Sequence, residues 1–398
     1  MRALFTIPPG RGELNGALPA ATALAAAGHE AAICSAPSFG PYVEAHGLTF
    51  FPAGMDWLIN DADLLQKLAD ATGPDLSALA GPDPGAWLTW ATNNWFMRDI
   101  ARAMYADVCA VAASWGADLI APNMVELGGF VAAEKLGLPH VSIAANAGTA
   151  RDLTSQVAEP LGWLREGAGL PPDPGLRDLY RYLHLAMTPP VFDGPAAVFP
   201  PTTRFVRRET PPRPGETLPE WAVTASRPLV LVSLGTVFYR FVDVYRVIVE
   251  RLREEDIEVG VAVGLDQAPD CLGPQPPNVH VEPWLPLPSL YPLCDVLVTH
   301  GGFNSTMEAL SHGVPLVVIP MAGDQPYCAR RCEALGVGVA IRAHQRMSDQ
   351  IRDAVAAVLA DPAYRSAALR FSAANAELPG MPAIVPLLEE LTARRPAG

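Results

Sequence analysis

Short apolar runs recur along the chain, separated by turns and amphipathic stretches. ALFTI, EAAIC, DLIAP and HVSIA mark the first half; PLVLVSLGT, EVGVAVG, VHVEPW, DVLVTHGG and PLVVIPM mark the second. Continuous apolar runs this short predict strands of a parallel sheet covered on both faces. Their alternation with helical sequence predicts an α/β fold, built twice. Between the two series lies FPPTTRFVRRETPPRPGETLPEWAVTASRP. Its prolines fix φ and remove backbone donors, so it reads as an extended linker. The expected domains are residues 1–210 and 226–373, joined by 211–225, with a final helix at about 374–391.

Composition narrows the partners. A formal charge of −14 opposes a nucleic-acid partner, whose phosphates need a basic face, and an anionic membrane surface. No run approaches the ~20 apolar residues needed to span a bilayer. The N-terminus shows no basic segment leading into a long apolar core, so no signal peptide is expected. The six cysteines are scattered and no second Cys/His pair stands at ligand spacing, so reduced thiols and no metal centre are expected. A soluble, cytoplasmic protein follows as the expectation, and a homodimer is carried with it.

Candidate chemistry concentrates in NVHVEPWLPLPSLYPLCDVLVTHGGFNSTMEALSHGVPLVVIPMAGDQPYCARR. A strand, DVLVT, runs into HGGFNST and then a helix, with Asn304 or Ser305 as its expected cap. Gly301 and Gly302 let a ligand approach the backbone, and a helix start offers unpaired amides and a positive dipole end. Such a site suits a phosphate or diphosphate, with His300, Asn304 and Ser305 adding donors. Glu308, one turn further on, can accept from vicinal ribose hydroxyls. Trp284 offers a flat face to a nucleobase, and Asp324 with Gln325 suits sugar hydroxyls. In AWLTWATNNWFMRDIARAMYADV, residues Trp87, Trp90, Trp95 and Phe96 either join the core or line an apolar pocket for an acceptor.

With these residues in place the chain resembles glycosyltransferase family 1, of GT-B fold, and among its members the bacterial enzymes that glycosylate macrolides and other natural products. PWLP at 283–286, THGGFNSTMEAL at 299–310, GVPLVVIP at 313–320 and DQ at 324–325 carry the likeness. SLGT at 233–236, NGALPAATALAAAGHE at 15–30 and LGLP at 136–139 agree with it. The resemblance implies two Rossmann-like domains facing a central cleft, the last helix returning to the first domain. It implies a nucleotide-sugar donor as co-substrate, a small-molecule acceptor, and neither cofactor nor metal. Trp284 and the Leu285 backbone would hold the base, and Glu308 the ribose. His300, Gly302, Asn304, Ser305, Ser233 and Thr236 would hold the diphosphate, and Asp324 and Gln325 the sugar. Because Glu308 can serve two ribose hydroxyls, a UDP-sugar is expected over a TDP-sugar.

The departures from the family pattern lie mainly in the first half. GRGELNG reads as a glycine-rich turn after the first strand, and it places Glu13 where the family usually carries a histidine base. Gly16 stands where proline is common, Asn123 where some members have an acid, Leu287 for a glutamine and Cys328 for an asparagine. Glu13 is either directed at the acceptor or a first-turn acid completing the helix dipole. In the second case Asp99, Asp107 and Glu126 are the unplaced alternatives. An inverting transfer to a natural product is the leading expectation; a nucleotide-sugar epimerase and a non-catalytic auxiliary protein are the alternatives.

Overall fold

The computed structural model describes residues 1–56, 97–144, 150–208, 216–236, 241–265, 267–321, 323–342 and 349–393. The tryptophan-rich stretch with Trp87, Trp90, Trp95 and Phe96 lies outside the described residues. The chain divides into two units that do not follow its linear order. One comprises Met1–Met187, Ala197–Arg208 and Pro379–Gly398; the other comprises Thr188–Ala196 and Glu209–Leu378. Thr188–Ala196, assigned from sequence to the first domain, thus belongs to the second unit.

In the first unit, β1 (Arg2–Thr6), β2 (Glu30–Ser35), β3 (Thr49–Pro52) and β4 (Leu119–Pro122) form a parallel sheet of order β3-β2-β1-β4. A second parallel sheet, β5 (Val141–Ala144), β6 (Leu183–Ala186) and β7 (Thr203–Phe205), continues the row through bridges from Ile120 to His140 and from Asn123 to Ile143. Helix α1 (Arg11–Ala26) follows β1, and α2 (Ala101–Trp115) and α3 (Leu127–Leu136) flank β4. Leu119, Ile120 and Ala121 of β4 are all buried because one core covers each face. Burying such a side chain contributes about 1.5–3 kcal/mol. Helices α2 and α3 stop at Gly116 and Gly137, whose φ values of 72° and 64° suit the left-handed ending that glycine tolerates.

The GRGELNG segment is helical rather than a turn. Helix α1 begins at Arg11 with Gly10 as its N-cap, and Pro19 lies inside it. Two glycines and a proline disfavour a helix locally, but Leu14, Ala17, Ala21 and Leu24 are fully buried and hold it in place. Tertiary burial outweighs propensity here.

The second unit is one parallel sheet of order β10-β9-β8-β11-β12-β13. Its strands are β8 (Leu229–Ser233), β9 (Glu258–Ala262), β10 (Val279–Glu282), β11 (Val296–Thr299), β12 (Leu316–Val318) and β13 (Gly338–Ala340). Helices α4 (Val242–Leu252), α5 (Phe303–Ser311), α6 (Gln325–Leu335), α7 (Gln350–Ala360) and α8 (Pro362–Ala376) complete it, and α9 (Ile384–Ala393) packs with the first unit. In both units the strand order reverses beside the first strand, between β1 and β4 and between β8 and β11. Ligands of open parallel sheets bind at the carboxyl ends of such a reversal.

Candidate functional site

The second unit places its candidate residues at that reversal. Thr299 pairs with Ser233 across β11 and β8, so His300 and the Ser233–Thr236 turn emerge side by side. His300 is 8% exposed and its ring fills the space that two glycines leave open. A Cβ on Gly235 would stand 2.5 Å from His300 Cε1, and one on Gly302 2.5 Å from Nε2. Gly235 also carries a φ of 74°, which only glycine adopts without cost. Burial lowers the His300 pKa to about 4, with a backbone hydrogen bond to Ser233 pulling the other way. The imidazole is therefore neutral at pH 7.

Helix α5 starts earlier than the sequence pattern indicated. Gly302 is its N-cap, no side chain caps it, and Asn304 and Ser305 lie in its first turn. The amides of that turn therefore lack an intrahelical acceptor and face the same sheet edge as His300. Glu308 follows one turn on, half-buried, and its Oε1 is buried with no hydrogen-bond partner. An unpaired buried carboxylate oxygen costs about 1–3 kcal/mol or more, so this oxygen is a candidate ligand contact.

Asp324 is the N-cap of α6, and Gln325, 4% exposed, accepts at Oε1 from the Met321 amide at 2.7 Å. The Gln325 carbonyl lies 3.6 Å from where a Cβ on Gly301 would stand, so α6 opens beside the glycine turn. Leu285 is buried, whereas Trp284 is 38% exposed just beyond the edge strand β10. Thr236 is exposed and Ser233 is buried. His300, Gly302, Asn304, Ser305, Ser233, Asp324 and Gln325 thus converge on one sheet edge, with Trp284 farther along it.

In the first unit Glu13 occupies the third helical position of α1, and its carboxylate folds back over the N-cap. A Cβ on Gly10 would stand 2.0 Å from Glu13 Oε2. An acid at this position complements the helix dipole and the N-cap. Among the unplaced acids, Glu126 has a defined structural role that the sequence did not reveal. It is 3% exposed and caps α3, accepting from the Gly128 amide at 2.7 Å and the Gly129 amide at 2.8 Å. Thr6, 120 residues earlier, donates its hydroxyl to the same carboxylate at 2.5 Å. Burial raises the Glu126 pKa although all three bonds oppose the rise. Asp107 accepts from the Gly54 amide at 2.8 Å. Asn123, after β4, accepts from the Val125 amide at 3.0 Å, while its buried Nδ2 has no partner. Only the run ELGG, an acid followed by two glycines, signals the Glu126 cap in the sequence.

The chain is similar to known proteins along most of its length. Two sequence profiles of one family match: the N-terminal domain of "Erythromycin biosynthesis protein CIII-like" proteins over residues 22–174, and the C-terminal domain over residues 246–391. Aclacinomycin-T 2-deoxy-L-fucose transferase of Streptomyces galilaeus is 28% identical over 99% of this chain and 96% of its own. TDP-daunosamine transferase DnrS of Streptomyces peucetius is 28% identical over 100% of this chain and 99% of its own. The crystal structure of glycosyltransferase VinC in complex with DTDP superposes with a TM-score of 0.77 at 26% identity, covering 99% of this chain and 100% of that one.

Proposed function

The chain belongs to the natural-product glycosyltransferases of GT-B fold, and on that premise we propose an inverting transfer that uses no resident metal. The carrying observation is His300 held between Gly235 and Gly302 beside the uncapped start of α5. The leaving diphosphate takes hydrogen bonds from the neutral imidazole, the α5 amides, Asn304, Ser305 and Thr236. Donors aimed at developing charge are the usual largest contribution to such catalysis. Trp284 stacks on the base; β10 lies three strand spacings from β11, about 14 Å at ~4.8 Å each. That span suits an extended nucleoside diphosphate. Glu308 Oε1 finds its partner in a sugar hydroxyl of the nucleoside, and Asp324 and Gln325 hold the transferred sugar.

The acceptor is a small natural product whose nucleophile attacks the anomeric carbon as the bond to the diphosphate oxygen breaks. The acceptor proton passes to Glu13 or is held by it in a hydrogen bond. The α1 dipole stabilises the Glu13 anion, which favours holding over full abstraction. Acceptors that need little deprotonation fit this best: an acidic phenol, an activated carbon or an amine.

The donor is a TDP-sugar. This is supported by the name of the daunosamine transferase and by the diphosphate bound to VinC. The unpartnered Glu308 Oε1 favours a second reading, a UDP-sugar, because a ribose offers it two hydroxyls. Family membership leaves the epimerase and auxiliary alternatives without support. The test is incubation with TDP-glucose and UDP-glucose, with and without EDTA, against polyketides, phenols and amines. A β-linked product insensitive to EDTA supports the reading; a retained α-linkage or loss with EDTA overturns it.

A further inference from the structure

Residues Thr188–Ala196 leave the first unit after β6, pack within the second, and rejoin the first before β7. This strap lies against both helices that carry the donor residues. Phe192 is fully buried with its ring edge-on to Phe303 at 6.2 Å, Tyr327 at 6.5 Å and Phe371 at 6.1 Å. Phe303 opens α5, immediately before Asn304 and Ser305. Tyr327 lies in the first turn of α6, two residues after Gln325, and donates its hydroxyl to Asp193 Oδ1 at 2.6 Å. One turn along α6, Arg331 donates from Nε to the Phe192 carbonyl. Its guanidinium covers Gly194, where a Cβ would stand 2.8 Å from Nη2 and φ is 85°. Thr188 donates to Met307 Sδ at 3.1 Å, beside Glu308.

We propose that Phe192 and Asp193 are positioning residues: Phe192 fixes the spacing between the diphosphate helix α5 and the sugar helix α6, and Asp193 orients α6. This rests on the donor-site reading above. The aromatic contact spans both helices, whereas the Tyr327–Asp193 bond orients only α6. The two interactions therefore act on different parts of the donor.

Titration calorimetry with TDP and with TDP-glucose separates these effects and needs no acceptor. Tyr327→Phe is expected to weaken TDP-glucose five- to tenfold while TDP stays within twofold of wild type. Asp193→Ala should match it, and Asp193→Asn, which keeps an acceptor for the phenol, should recover most of the loss. Phe192→Leu should weaken both ligands. In the Tyr327 and Asp193 variants, a lower melting temperature with an unchanged ratio of the two affinities is a purely structural effect and overturns the proposal; so does a folded Phe192→Leu protein that binds both ligands as the wild type does. His300→Ala tests the underlying site separately. If it leaves TDP affinity unchanged, both readings fall; if it weakens TDP while Tyr327→Phe leaves the ratio alone, only the strap inference falls.

Discussion

The close seat of His300 makes Gly302→Ala an informative perturbation. Gly302 has φ −59° and ψ 141°, a conformation alanine adopts freely, so the substitution adds a methyl without backbone strain. That methyl would stand 2.5 Å from Nε2 and 3.1 Å from Cε1. Ordinary carbon contacts are about 3.5–4.0 Å, so the ring must retreat by roughly 1 Å. A ring displaced that far gives up its hydrogen bond to the diphosphate, since such bonds span only about 2.7–3.2 Å. A hydrogen bond to a charged group contributes about 1.5–3 kcal/mol. Its loss weakens diphosphate binding roughly 10- to 150-fold at 1.4 kcal/mol per decade. Calorimetry with TDP or UDP measures this, with thermal melting as the control for folding. Gly235→Ala should weaken binding similarly and also destabilise the fold, because its left-handed φ adds about 1–2 kcal/mol of strain. Affinity within threefold of wild type in a folded Gly302→Ala protein refutes the placement of the diphosphate beside His300.

Four further outcomes are expected. Glu13→Gln lowers turnover at least tenfold, within the ~10²–10⁴ that base assistance supplies, and leaves nucleotide affinity unchanged; wild-type turnover removes Glu13 from the reaction. Glu308→Ala weakens UDP about tenfold, worth ~1.4 kcal/mol, and TDP less; equal losses show that the carboxylate does not distinguish the sugars. His140 is fully buried, edge-on to Phe130 and Tyr182 at 5.2 Å each. Neither ring nitrogen reaches a hydrogen-bond partner, and burial lowers its pKa to about 3, a looser backbone contact with Asp178 offsetting little. Its unfolded pKa of ~6.5 is the higher value, so its stability contribution is complete above pH 6.5 and lost as pH falls towards 3. At pH 5 the loss is about 2 kcal/mol, and urea denaturation of His140→Leu should show a correspondingly flatter pH dependence between 7 and 5. Arg165, with a side chain 2% exposed, bonds Glu134 at 2.7 and 2.8 Å and Asp178 at 3.1 Å. Removing it as Arg165→Met strands Glu134 and should cost about 3–5 kcal/mol; a loss under 1 kcal/mol in chemical denaturation contradicts that reading of the pair.

What the sequence disclosed depended on how far apart the cooperating residues lie. His300, Gly302, Asn304, Ser305 and Glu308 fall within nine consecutive positions, on one strand end and one helix start, so spacing alone brings them together. Strands β1, β2, β4, β5 and β8 to β12 were legible because burial leaves short apolar runs such as LVLVS; the partly buried β3, β7 and β13, and β6, carry no such mark. The start of α1 was not, because glycine and proline signal a turn, while the burial of Leu14 and Ala17 that overrides them is tertiary. Glu126 and Thr6 meet across 120 residues, and no periodicity records such a pair. Phe192 carries no local mark either; its partners lie at Phe303, Tyr327 and Phe371.

The non-linear division of the chain bears on how such proteins can be recombined. Exchanging halves between relatives at the proline-rich linker alone would part Phe192 from its ring partners and Arg331 from the carbonyl it holds. It would also part α9 from the first unit, where His29 bonds Glu389 at 3.0 Å. A chimera that keeps its buried contacts needs more than one junction: residues 188–196 travel with the second unit, and residues 379–398 with the first. Grafts drawn by linear position break a packed aromatic cluster before they test any specificity.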